Sequence, residues 1–479
     1  MTQIESLDER RPRGAADILA IGFGTSVVMW AASYFGCLSR LVGNSVPPPL
    51  LFVFLLACQV AGGFVVGRYT TRGWRGGLAA GALSGAVNLL ALGSLLGGNT
   101  PNAIKAWALL WVPGTLAVAM LLSGVGALVG QAFPERPRAE RGWSGLLSTV
   151  AACATLVLLA AGGVVTGFDE GLAVVDWPNT EGYNMFLYPL VRMTGGIYLE
   201  HAHRLLGSLV GLTTLVLAIH AQVTERRGWI KGLAWVALLF VVFQGILGGL
   251  RVTGRFTLST VEADTDPSVV LATVHGIFGQ IVFGTLVALA ICRSRTWKTA
   301  GPPTFAPGAS TDRAFGIILV VLLVGQLILG ALVRHFTWAL QMLRYGLEAG
   351  PEKLTKVGQW ALHLHITVAV VVVLLTIAVG VRAWGLYRAV PVLPKLGRGL
   401  LMLAGVQLAL GVAALIVTGD DNPMRRPKAL DVGVTTAHQV VGAALLAWAL
   451  MVLIWGYRLL RTENSTGGVT AEVETSVAL

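Results

Sequence analysis

Twelve apolar stretches, each near the length of a membrane-crossing helix, run through this 479-residue chain and leave few folds open to it. They lie near residues 16–36, 48–68, 77–97, 106–132, 145–167, 199–223, 229–253, 268–292, 314–335, 358–381, 398–418 and 434–457. About 20 apolar residues in a helix cross the hydrocarbon layer, and a backbone in lipid must satisfy its own hydrogen bonds. Apolar residues make up 55% of the chain and charged residues 12%, and the 60 glycines suit close helix–helix approach in lipid. The expected fold is an all-α polytopic membrane protein of about twelve transmembrane helices.

A net charge of +11 would suit a polyanionic partner if it were gathered on one soluble face. It is instead divided by the spans. Lys and Arg number 22 on the side of the N-terminus and 12 on the other, with Arg204 inside a helix. The positive-inside rule places both termini in the cytoplasm. The basic excess then orients the chain in the lipid bilayer and gives no sign of nucleic acid.

The four cysteines, Cys37, Cys58, Cys153 and Cys292, lie in or at the ends of spans without C-x-x-C spacing and read as packing residues. Arg10-Arg11 faintly resembles a twin-arginine signal, but the first helix is too long for a cleaved one. Glu5, Asp8 and Glu9 argue against a mitochondrial transit peptide. A bacterial plasma (inner) membrane is the expected location.

Four segments follow from composition: residues 1–140, 141–300, 301–461 and 462–479. The first holds four spans and no histidine. The charged run Pro134-Glu135-Arg136-Pro137-Arg138-Ala139-Glu140-Arg141 closes it. A Pro/Gly-rich linker from Gly301-Pro302-Pro303 to Asp312-Arg313 divides the remaining eight spans, and the polar tail is expected to be disordered. Those eight spans repeat in pairs. The first member of a pair carries Gln-x-x-x-Gly in three copies (Gln244 to Gly248, Gln326 to Gly330, Gln407 to Gly411) and ends in Thr-Gly in three (Thr166-Gly167, Thr253-Gly254, Thr418-Gly419). The second member carries a histidine. The last eight helices are therefore expected to form two four-helix bundles related by a pseudo-twofold axis, with sites at the repeat interface.

The repeated histidines are His203, His275, His365 and His438, each followed four residues later by a small residue: Gly207, Gly279, Ala369 and Gly442. A titratable side chain at membrane depth is costly and points to function, and imidazole is the commonest metal ligand. With the N-terminus inside, all four helices run inward, and all four histidines sit about 6–12 Å below the outer surface at 1.5 Å per residue. A small neighbour one turn away leaves room for a flat ring. A hydrogen-bonded polar residue between helices would account for any one of them; the common depth and spacing of four favour two bis-histidine haem sites.

Eight histidines occur in all. Residues i and i+2 stand about 200° apart on a helix, so His201 cannot share a pocket with His203, nor His363 with His365. His220 reads as interfacial, and His335 reads equally as lining the mouth of the second pocket or as an interfacial residue. Glu200 and His203 share a face, so the carboxylate can orient the imidazole or handle a proton, or simply stabilise the helix end. Arg204 can pair with Glu200 or with a haem propionate. The loop of residues 168–198, with Asp176-Trp177-Pro178, suits a lid over a pocket or an aromatic anchor in the interface.

Gly162-Gly163-Val164-Val165-Thr166-Gly167, Gly171-Leu172…Asp176-Trp177-Pro178 and Glu200-x-x-His203-Arg204-x-x-Gly207 resemble the haem A synthase family. So do Gln244…Gly248, His275, Leu332-Val333-Arg334-His335, His365 and Ala437-His438-Gln439. The resemblance covers about residues 145–457. It implies an oxidoreductase that oxidises the ring methyl of haem O to a formyl group, giving haem A for terminal oxidases. By position, His365 and His438 would be axial ligands of a haem b that relays electrons. His203 and His275 would hold the substrate haem, with Glu200 and His203 catalytic and Arg204 at the haem edge. A haem O synthase and oxidase assembly factors are the partners it suggests. Two departures stand out: the first outer loop lacks the cysteine pair of many bacterial relatives, and the first four spans have no counterpart. Two other classes fit the same residues, a di-haem electron-transfer or haem-handling protein and a repeat-built transporter with histidine proton relays.

Overall fold

The computed structural model describes residues 15–41, 46–98, 100–133, 141–253, 269–344, 352–419 and 427–462. The terminal tails, Arg10-Arg11, residues 134–140 of the charged run and Gly254 lie outside the described residues. The described helices are α1 (Ala16–Leu41), α2 (Pro48–Tyr69), α3 (Gly73–Leu96), α4 (Ala108–Ala132), α5 (Trp143–Gly167), α6 (Gly195–Thr224), α7 (Gly228–Val252) and α8 (Val269–Arg293). They continue with the short α9 (Arg295–Thr299), then α10 (Ala309–Arg344), α11 (Glu352–Gly385), α12 (Val392–Gly419) and α13 (Ala429–Leu459). Twelve of these are long and apolar enough to cross a membrane. The protein is an all-α polytopic membrane protein.

Several helices outrun the apolar stretches that announce them. α10 continues to Arg344 and α11 begins at Glu352, beyond the expected 314–335 and 358–381. Polar side chains outside the hydrocarbon layer still allow i to i+4 backbone bonding, so a helix need not end where its apolar run does.

The chain divides into two compact units. The first contains residues up to Leu271 and Thr285–Arg295; the second contains Ala272–Gly284 and everything from Thr296, so α8 contributes to both. In the first unit, α2 and α4 meet along a glycine seam. A Cβ on Gly63 or Gly67 would strike the backbone of Ser123 or Ala127, and one on Gly126 or Gly130 the backbone of Val60 or Phe64. This is the small-xxx-small packing that lets backbones touch in lipid, where burying apolar side chains gives no drive between helices. Polar pairs fasten the same bundle: Ser84 Oγ donates to Gln59 Oε1 at 2.8 Å, and Trp30 Nε1 to Asn88 Oδ1 at 2.9 Å. α1 packs on α3 and α5, and α5 on α6.

The second unit centres on α10 to α13, each helix packed on the next and α13 returning to α10. Gly380 and Gly397 bring the backbones of α11 and α12 together, and Trp448 Nε1 donates to Leu396 O at 2.9 Å. At the opposite end of α10 from its Gln-x-x-x-Gly motif, Asp312 accepts from Arg382 Nε at 2.5 Å and from the Tyr387 hydroxyl. Burial and the Asp312 carboxylate both raise the Tyr387 phenol above its ordinary pKa. Two short strands, β1 (Thr304–Phe305) and β2 (Leu460–Arg461), pair in parallel there.

Candidate functional site

The Gln-x-x-x-Gly motif acts across the helix hairpin it belongs to. In the second unit, Gly330 of α10 lies against the ring of His365 on α11: a methyl group on that glycine would stand 3.1 Å from Cε1. Gly411 of α12 stands in the same relation to His438 on α13, again 3.1 Å from Cε1. The glutamine one turn before each glycine engages the same histidine. Gln326 Nε2 donates to the His365 carbonyl at 2.8 Å, and the Gln407 amide lies 3.4 Å from His438 Nε2. Only glycine leaves space for an imidazole edge this close to a helix backbone.

The two rings face one another with centroids 6.3 Å apart and planes at 76°. Two imidazoles on opposite sides of one metal, each nitrogen about 2 Å from it and about 1.2 Å from its own ring centre, also stand about 6 Å apart. Nδ1 of both histidines and Oε1 of Gln326 and Gln407 are buried with no hydrogen-bond partner. Orphaned polar atoms around a spaced imidazole pair fit an axial pair for a haem iron.

In the first unit the same seat recurs: a methyl group on Gly162 of α5 would stand 3.1 Å from Cε1 of His203 on α6. The surroundings differ. Glu200, one turn earlier, is buried and accepts from Arg204 Nε at 3.1 Å, both side chains being 8% exposed. Arg204 gives three further N–H donors to the loop between α5 and α6. Its Nη1 donates to the carbonyls of Asp176 at 2.6 Å and Asn179 at 2.8 Å, and Nη2 to that of Val174 at 2.7 Å. Asp176 in turn accepts from the backbone N–H groups of Glu181 and Gly182, each at 2.8 Å. The Trp177 ring lies on Gly249 of α7, and the Arg251 guanidinium on Gly171. Arg251 also feels the charges of Glu200 and Asp169. It is a site-lining residue that spacing did not single out, because its proximity arises only when α7 meets the loop.

The other histidines separate clearly. His201 is fully buried, with Nδ1 3.0 Å from Thr180 Oγ1 and its ring 5.1 Å from that of Tyr188, so it packs beneath the loop. His363 is exposed, while His203, His275, His365 and His438 are all half-buried. His220, expected at an interface, is buried and lies 2.9 Å from Arg293 Nη2, because that arginine is drawn inward to His220 and Ser148. His335 is half-buried on α10, beyond Gly330. His275, on α8, belongs to the second unit.

At His203 and His438 the small residue at +4 takes no part in seating the imidazole. A methyl group on Gly207 would meet nothing within 4 Å, and one on Gly442 would meet the Gln407 amide at 3.2 Å. The seat comes from the preceding helix.

Comparison with known proteins adds the family. The chain is 26% identical over 195 residues to a protein named "Heme A synthase" from Alkalihalophilus pseudofirmus, a match covering 40% of this chain and 59% of that relative. The family model for cytochrome oxidase assembly proteins matches residues 180–452, more than half of the chain and all four seated or repeated histidines. With histidine seats at three hairpins within or beside that range, the chain belongs to the cytochrome oxidase assembly protein family.

Proposed function

We propose that this protein is a haem A synthase, an oxidoreductase that converts the ring methyl of haem O to a formyl group and so supplies haem A to terminal oxidases. The observation that carries this reading is the contrast between two histidine seats in one chain. One is a bare imidazole pair; the other has, one turn before its histidine, a buried carboxylate paired with an arginine that pins the loop of residues 174–179. The matched relative's name supports it.

His365 and His438 would be the axial ligands of a haem b, with Gln407 orienting the His438 ring and Gly330 and Gly411 fixing both ring edges. A haem with both axial positions filled by protein carries electrons and takes up oxygen poorly. By the family resemblance, His203 and His275 hold the substrate haem O. Glu200 shares a helix face with His203 and would take one of the protons released as the methyl group gains an oxygen atom from water and gives up four electrons to an external acceptor. Arg204 holds that carboxylate in place and ties down residues 174–179, which limits water at the site. Four of its five N–H donors go to these partners, which favours a positioning role over a bidentate propionate contact. A bacterial inner membrane with both termini cytoplasmic, and a haem O synthase and oxidase assembly factors as neighbours, complete the reading.

The test is to purify the protein, record reduced-minus-oxidised spectra and identify the extracted pigments. Haem b with haem A that accumulates when haem O is supplied supports the proposal. Haem b alone under those conditions would assign the chain as an electron relay, and no haem at all would favour a transporter.

A further inference from the structure

The four N-terminal helices precede the family match, which starts at residue 180. Their contacts within the first unit give them a place in the site. Tyr34, near the end of α1, is 3% exposed. Its hydroxyl donates to the carbonyl of Ala161 at 3.4 Å, one residue before the Gly162 seat of His203. Its ring stacks on Tyr198 of α6 with centroids 6.0 Å apart and planes at 17°, and the Tyr198 hydroxyl donates back to the Tyr34 carbonyl at 2.9 Å. Tyr198 lies two residues before Glu200. One residue of α1 thus touches both helices that frame His203.

The same region holds the far side of the loop. A Cβ on Gly93 or Gly97 of the α3 end would collide with the carbonyl oxygens of Phe186 or Leu187. In the following turn, Asn102 has φ 62° and accepts from the backbone N–H of Asn184 at 2.9 Å. Arg204 pins residues 174–179 and the N-terminal region pins residues 184–187.

We propose that the N-terminal helices are a built-in wall of the Glu200–His203 site, with Tyr34 and Asn102 as positioning residues for the seat and the loop. The functional part of this rests on the haem A synthase reading; the structural part does not.

The test uses the full-length protein. Asn102→Gly removes the acceptor while keeping the left-handed backbone, and Gly97→Ala pushes on the Leu187 carbonyl. Each is expected to raise amide hydrogen exchange across residues 180–188 by about tenfold or more, with haem b content unchanged. Tyr34→Ala is expected to lower haem A formation about tenfold, and Tyr34→Phe, which keeps the ring stack, to restore most of it. Wild-type exchange in both loop variants would overturn the proposal, whatever the activity. If Tyr34→Ala also loses haem b, the exchange result in Asn102→Gly decides. Glu200→Ala separates the two readings. If it leaves haem A formation intact, the functional reading fails. If it abolishes haem A while the N-terminal variants match wild type, only the present proposal falls.

Discussion

The hairpin of α5 and α6 and the hairpin of α10 and α11 solve one local problem identically and then diverge. In both, a glycine of the first helix takes the edge of a histidine on the second, at the same 3.1 Å from a built methyl group. Around His365 there is an amide, a second imidazole and apolar helix. Around His203 there are a carboxylate, an arginine, a loop held by three carbonyl contacts and a tyrosine from α1 nearby. A site that only holds a metal group needs ligands and a dry fit. Proton handling and control of water need charge and a cover. On the proposed reading, the difference between the hairpins would be that between holding and reacting.

The largest test of that contrast removes one of the two facing histidines of the second unit, the proposed haem ligands. His365→Ala or His438→Ala is expected to cost about tenfold or more of the haem b per protein in reduced-minus-oxidised spectra, since one axial bond cannot replace two. His363→Ala should leave the spectrum as it was; equal loss there would show that helical angle chose the wrong histidine.

Glu200→Ala probes the other side. Haem A formation should fall by about 100-fold or more, with haem b retained, if the carboxylate handles a proton. Parallel loss of both pigments would erase the division of labour between the sites.

The shared seat predicts a smaller, common effect. Gly330→Ala and Gly411→Ala each force an imidazole edge to retreat by a few tenths of an ångström, at about 1–3 kcal/mol. Thermal stability of the detergent-solubilised protein should fall, and haem b should become easier to extract. No change in either would mean the ring has room that the packing does not show.

Arg204→Lys keeps the charge but cannot reach three carbonyls and a carboxylate together. Losing charge-assisted bonds worth about 1.5–3 kcal/mol each should loosen residues 174–179, seen as faster proteolysis of the loop with haem b intact. The smallest effect is expected for His201→Ala, a loss of about 1–2 kcal/mol in stability from its Thr180 contact with no change in pigment.

Much of this was written plainly in the chain. Apolar length announces twelve spans, because lipid allows a polar backbone no alternative to a helix. Helical angle separates His203 from His201, and the structure turns the latter under Tyr188. The role of Gln-x-x-x-Gly was not legible in the same way. Spacing shows that Gln326 and Gly330 share a face, but not that this face meets His365, since that depends on how α10 and α11 pack. The small residue at +4 marked four histidines, three of which (His203, His365 and His438) rest on a glycine of the preceding helix, a contact that the +4 spacing says nothing about. Tyr34 and Arg251 were invisible, because each gains its neighbours across more than a hundred residues or from a loop with no regular periodicity.

Each histidine seat pairs a glycine of one helix with a histidine of the next helix in the chain. The glycine contact of His203, His365 or His438 therefore needs only one hairpin to form, and no later helix. A chain threaded into the bilayer pair by pair would carry each seat ready-made from the moment its second helix enters.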